Sequence, residues 1–252
     1  MSGTARPVRR ERRAHQLAER RAARDRAATR PRRSSFGIVQ VTIAAVVAGL
    51  GLVVALALLA PKPTAPEVEL ARGFAPIGLP AAGMVLGRAD APVQVEVYED
   101  FQCPVCRRWG EDVFPGLVRN ELTAGTASLT YRGYAFIGPD SFVAGRAAWA
   151  AERQDRFWDM WATLYANQGL HENAGAFTTD RVVAMADLLG LDRNRFVADL
   201  GSAEAKAAVD GSSAAAVAAG VTGTPTLAVN GRLVDGSGYA AVSAAIAAAA
   251  GQ

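Results

Sequence analysis

The chain has 252 residues, 27 Lys and Arg against 24 Asp and Glu, two His and two Cys. Two cysteines are too few for a disulfide-stapled scaffold and, with His15 and His171 far away in sequence, too few for a four-ligand structural zinc site. The +3 formal charge is the sum of a net +9 in residues 1–35 and a net −6 in the rest. A nucleic-acid-binding protein would carry such charge on its folded part, so nucleic acid is not expected as a partner.

The basic tail, residues 1–35, precedes an uncharged apolar run over 36–60, FGIVQVTIAAVVAGLGLVVALALLA. A helix of that length would measure roughly 37 Å, enough to cross a bilayer core of about 30 Å. Arg30, Arg32 and Arg33 lie before the run and only Lys62 follows closely. The positive-inside tendency therefore predicts a single-pass transmembrane helix in the cell membrane, a cytoplasmic tail and an extracytoplasmic remainder. Residues 61–84 are expected as a Pro- and Gly-containing linker. Residues 85–252 are expected as one domain, with a helical insertion at about 141–220.

PVQVEVYEDF, residues 92–101, begins as a strand by the alternation of Val93, Val95 and Val97. The stretch 104–122 follows as a helix that Pro115 must kink or divide, with Trp109, Val113, Phe114 and Leu117 facing inward. Residues 127–134 form the next strand, so the order strand–helix–strand predicts a parallel pair. In the helical block, Phe142, Trp149, Phe157, Trp161 and Leu164 recur at near-helical spacing. Thr179 is the N-cap expected for a further helix, which Gly190 ends. Asn230-Gly231 predicts a type I′ hairpin between TLAV and RLV, and 239–250 a closing helix.

The chemistry is concentrated in FQCPVC, residues 101–106. Cysteines at i and i+3 meet when the first sits at a helix N-terminus and the second one turn inside. The first sulfur is then exposed to unpaired amide N–H groups and to the positive end of the helix dipole. Cys103 reads as a nucleophile and Cys106 as a resolving thiol. Pro104 suits the first helical position, and Val105, uncharged, leaves the thiolate less favoured than a charged neighbour would.

DFQCPVC at 100–106, WDMWATLYANQ at 158–168, LLGLD at 188–192 and GVTGTPTLAVNG at 220–231 together resemble the thioredoxin superfamily. Within it, the chain is similar to the membrane-anchored bacterial oxidoreductases of disulfide-bond formation. The resemblance implies an α/β thioredoxin-like fold with an inserted helical subdomain, preceded by one transmembrane helix. It implies catalysis by Cys103, Cys106 and a cis-proline at Pro225, with Pro104, Val105 and Thr224 touching substrate. No cofactor is implied, because the redox-active disulfide is in the chain, and no metal. The partners implied are reduced or unfolded exported proteins and a quinone-linked membrane reoxidase.

The family's buried acid, six positions before the first cysteine, is here Val97. Glu96, Glu99 and Asp100 are the candidates to replace it, and alternation puts Glu96 on the other face. The function expected is donation of the Cys103–Cys106 disulfide through a mixed disulfide. An extracytoplasmic reductase or isomerase, distinguished by a reduced resting pair, and a non-enzymatic binding or chaperone module, distinguished by indifference to loss of Cys103, are the alternatives.

Overall fold

The computed structural model describes residues 7–28, 35–59, 67–70 and 78–251. It divides into two units, Met1–Pro63 and Thr64–Gln252. The first contains α1 (Pro7–Ala28) and α2 (Ser35–Leu59). Among the described residues no helix is long and apolar enough to cross a membrane. This overturns the transmembrane helix expected over 36–60, and with it the single-pass, membrane-anchored placement in the cell membrane. Parts of the basic tail and of the 61–84 linker, residues 1–6, 29–34, 60–66 and 71–77, lie outside the described residues.

The second unit is built on one sheet. Its described strands are β1 (Ala81–Ala82), β2 (Val85–Leu86), β3 (Val93–Glu99), β4 (Ala127–Gly133), β5 (Thr226–Val229) and β6 (Arg232–Val234). They lie in the order β1-β2-β4-β3-β5-β6. β3 and β4 are parallel, Val95 facing Leu129, and β5 runs antiparallel to β3, Val97 facing Leu227. Val93, Val95 and Val97 are fully buried, so the alternation that identified β3 is the core face of a central strand. The hairpin is as expected: Asn230 and Gly231 both have positive φ, 48° and 76°, which a type I′ turn requires.

Between β3 and β4 the chain forms α3 (Pro104–Asp112), α4 (Phe114–Leu117) and a π-helical turn at Val118–Leu122. The division falls where Pro115, lacking an N–H and crowding the preceding turn, can only sit in the first turn of a new helix. Trp109, Val113, Phe114 and Leu117 are buried, as their spacing predicts.

The helical block consists of α5 (Pro139–Glu152), α6 (Phe157–Ala166), α7 (Thr179–Leu188), α8 (Arg193–Leu200) and α9 (Ala203–Ala218). α5 packs on the other four, and α9 closes over β4. Such crowding selects small side chains. The buried residues of α5 are Ser141, Ala144, Ala147, Ala148, Ala150 and Ala151, while Phe142, the first of the residues at near-helical spacing, is exposed. The N-cap of α7 is Thr178 rather than Thr179: its hydroxyl accepts from Arg181 N at 3.4 Å with an extended backbone. Gly190, at φ 71°, ends that helix in the left-handed region.

The closing helix α10 (Tyr239–Ala250) packs on α4, β3 and β5. Its docking depends on a close approach at Gly116, where a Cβ would stand 2.6 Å from the Tyr239 ring. Gly116→Ala is therefore expected to lower stability by about 1–3 kcal/mol through overpacking, read as a reduced urea midpoint at unchanged slope.

Candidate active site

β3 ends at Glu99 and delivers the loop Asp100–Cys103 to the N-terminus of α3. Cys103 is the N-cap of that helix, extended at φ −70° and ψ 116°, with Pro104 in its first turn. Its amide donates to Asp100 O at 2.9 Å, and its carbonyl accepts from Arg107 N at 3.3 Å. Cys106 lies one turn inside and is fully buried, while Cys103 keeps 7 % of its surface exposed. The first sulfur is thus more enclosed than its helix-tip position alone predicts. The loop before β5 covers it: the Cys103 thiol donates to Thr224 O at 3.4 Å. Both cysteines are free thiols.

Thr224-Pro225 is a cis peptide bond. The expected residues are thus gathered at one place, the two thiols and Pro104 from the β3–α3 junction, Thr224 and Pro225 from the start of β5. Val105, Arg108, Trp109, Pro225, Leu227 and Val234 line an open groove of about 680 Å³ beside the sulfurs.

The thiols are electrostatically unequal. The Cys103 thiol is pulled down to about 6, first by the hydrogen bond from Cys106, against the opposing effect of burial. The Thr224 side chain and the backbone N–H groups of Cys106 and Val105 add to the lowering. Thr224 Oγ1 has no partner in the dithiol form, so its hydroxyl is available to the thiolate. Burial, followed by its donation to Cys103 and the nearby Glu99, pushes the Cys106 thiol well above the usual range.

Glu99 is the acid that Val97 does not provide. It lies two residues further along β3 on the same face as Val93, Val95 and Val97 and is fully buried. Burial raises its carboxyl to about 8, opposed by the hydrogen bond from Trp161 and by the nearby Tyr165 hydroxyl and reinforced by the charge of Cys103. Trp161 Nε1 donates to Oε2 at 2.8 Å. Oε1 makes no hydrogen bond, the Tyr165 hydroxyl being directed to Asp100 O at 3.4 Å. Glu96 instead pairs with Arg132 at 2.7 Å on the opposite face.

Sequence reasoning missed the side chains that hold the loop. Asp100 accepts from Gln102 N, Ser141 Oγ, Phe136 N and Ile137 N at 2.8, 2.6, 3.0 and 3.1 Å. Gln168, just beyond α6, donates through Nε2 to Phe101 O at 2.7 Å and Cys103 O at 3.0 Å. Only the position of Gln168 within WDMWATLYANQ hinted at such a role. Among the described residues no cluster of three or more His, Cys, Asp or Glu is placed to hold a metal ion.

The sequence model of the family described as Thioredoxin matches residues 81–248. The probable disulfide bond formation protein D of Bacillus cereus is 34% identical over 154 residues, which cover 60% of this chain and 71% of that protein. A thioredoxin-like oxidoreductase from Silicibacter pomeroyi DSS-3 superposes with a TM-score of 0.57 at 29% identity, covering 67% of this chain and 92% of that one. Oxidised BdbD from Bacillus subtilis superposes with a TM-score of 0.63, covering 69% of this chain and 97% of that one. Its 23% identity speaks for the fold alone. A redox pair carried in the chain itself, on this fold and among these relatives, places the protein in the thioredoxin superfamily, in its family of disulfide-bond oxidoreductases, as a thiol–disulfide oxidoreductase.

Proposed function

We propose that the protein oxidises thiols of exported, reduced or unfolded proteins by donating a Cys103–Cys106 disulfide. The observation that carries this reading is the disparity between the two thiols. A sulfur whose thiolate is stabilised is a good leaving group, and a stabilised dithiol form makes the corresponding disulfide oxidising.

In the first step a substrate thiolate attacks Cys103 Sγ from the groove. The substrate–Cys103 bond forms as the Cys103–Cys106 bond breaks, and Cys106 leaves as a thiolate. Its high proton affinity draws a proton from the Glu99 carboxyl, which is protonated at neutral pH and is the buried acid whose charge bears on Cys106. A second substrate thiolate then attacks the substrate sulfur of the mixed disulfide and expels Cys103, whose charge Cys106, Thr224 and the helix amides stabilise. The substrate gains one disulfide and the enzyme two electrons. Extended backbone beside Pro225 presents groups with which a substrate strand can pair, and Pro104, Val105 and Thr224 form the contact surface. Reoxidation requires a two-electron acceptor, a role we assign to a quinone-linked membrane reoxidase. The relatives' names, as disulfide bond formation proteins, support the choice of substrate class.

Equilibration with glutathione redox buffers tests the direction. The potential is expected between about −180 and −120 mV, in the range of oxidising members of this fold, and a value near about −270 mV would instead identify a reductase.

A further inference from the structure

Behind the active-site loop, on the side away from the substrate groove, the sheet and the helical block do not close completely. A cavity of about 240 Å³ remains between β4, α5 and α9, with Ala148, Trp149, Phe157 and Val209 in its apolar wall. Small residues line it: Ala148 on α5 and Ala208 on α9 leave space where larger side chains would fill the layer, while Gly145 admits the close approach of Val209. An apolar cavity of about 150 Å³ is enough for a benzene ring, so this one has room for a ring with a short substituent.

Three polar side chains of the wall, Asp100, Ser141 and Ser212, are held by hydrogen bonds within the protein. Asp100 is saturated by four donors. Ser141 Oγ donates to it, and Ser212 Oγ donates to Gly133 O at 2.8 Å. Among the described residues, the one buried side-chain oxygen of the wall without a partner is Glu99 Oε1. A buried oxygen left unmatched costs about 1–3 kcal/mol, which a single partner would recover. One unmatched carboxyl oxygen in a mostly apolar space, with Tyr131 also in the wall, favours a ligand with a single hydroxyl.

We propose that this cavity is a binding site for a small, mostly apolar alcohol or phenol whose hydroxyl hydrogen-bonds with Glu99 Oε1, accepting from the neutral acid or donating to the carboxylate. A cationic amine fits less well, because it would have to lose its hydration in an apolar space. Binding itself does not depend on the oxidase reading above; its consequence for the thiols does. A hydroxyl donates to a carboxylate more strongly than it accepts from a neutral acid, so its presence favours ionised Glu99, and the added negative charge opposes ionisation of Cys103. Occupancy of the cavity thereby weakens the thiolate from the rear of the site, without touching the substrate groove.

The test uses the full reduced chain and two probes of nearly the same shape, 4-ethylphenol and ethylbenzene, titrated while the Trp149 indole and Met84 methyl NMR signals are followed. Saturable shifts of both signals are expected with 4-ethylphenol, with affinity at least about tenfold above that of ethylbenzene, a usual margin for one buried hydrogen bond. Ala208→Leu and Ala148→Leu narrow the cavity from opposite walls. Each variant that retains the native spectrum is expected to bind 4-ethylphenol at least about tenfold more weakly. Saturation with 4-ethylphenol is further expected to raise the Cys103 titration midpoint by about half a unit or more. Absence of saturable shifts, equal affinity for the two probes, or unchanged binding in both narrowed variants would overturn the site. A site that binds as described while Cys103 titrates unchanged would overturn the coupling alone. The glutathione equilibrium decides the direction of thiol chemistry separately.

Discussion

Cys103→Ser is expected to lower the rate of oxidation of a reduced model protein by about a thousandfold or more, because the atom that forms the mixed disulfide is gone. Cys106→Ser is expected to fail differently. Cys103 then remains able to attack a disulfide of an oxidised model protein, forming the mixed disulfide as one substrate thiolate leaves, but no neighbouring thiol can release it, so this species accumulates and is visible as a mass increase on non-reducing gels. The asymmetry follows from geometry: Cys103 retains surface and its thiol sits near 6, whereas Cys106 is sealed and pushed upward. Thiolate absorbance in the wild type should rise with a midpoint near 6. In Cys106→Ser the midpoint should move upward, since the sulfur donor that contributes most to the lowering is replaced. Equal labelling of both sulfurs by iodoacetamide at pH 7 would contradict the assignment of roles. Full activity in Cys103→Ser would point to a binding function.

Glu99→Gln is the second large effect, and it has two signs. On rate, loss of the proton held next to Cys106 is expected to slow formation of the mixed disulfide at neutral pH by roughly 10²-fold, the lower end of what a positioned proton donor contributes. On stability the variant should gain. The folded carboxyl titrates near 8 while an unfolded one titrates near 4.5, so between these values the folded state binds the extra proton. The stability that this group contributes is complete below the unfolded value and is lost as pH rises through the folded one. Over that window the wild type loses of order 4 kcal/mol that a neutral glutamine does not lose. Urea unfolding of the reduced proteins at pH 5 and pH 9 measures the difference. A gap between the two proteins that stays constant with pH would refute the raised carboxyl. A full rate in Glu99→Gln would refute its part in proton transfer.

Most of what carries the chemistry was legible in sequence because it is local. A cysteine–proline pair after a strand specifies a helix start, and a threonine–proline pair before β5 specifies the facing loop. Glu99 was harder. It stood among three candidates and shares the period-2 face of Val93, Val95 and Val97, but an acid on the core side of a central strand carries a desolvation cost that sequence patterns weigh against. What offsets that cost, Trp161 Nε1, lies on a helix 62 residues away and appears only in three dimensions. The same reason hid the loop-holding roles of Asp100 and Gln168, whose partners come from α5 and from the loops after β3 and β4. Phe142 differed in the opposite way: it stood in a near-helical series with the buried Phe157, Trp161 and Leu164, yet the crowded face of α5 is made of alanines and Ser141 and leaves Phe142 exposed. The apolar run at 36–60 suggested a bilayer span by length and composition, and the described helix does not meet that requirement.

The bonds from Gln168 to the carbonyls of Phe101 and Cys103 make the nucleophile's backbone a joint possession of two parts of the chain. A chimaera that exchanges the helical block between relatives at the borders of the sheet would therefore separate the reactive loop from the amide that steadies it. Grafts that carry 167–173 together with 99–106 should keep the native redox behaviour, whichever relative supplies the remaining helices.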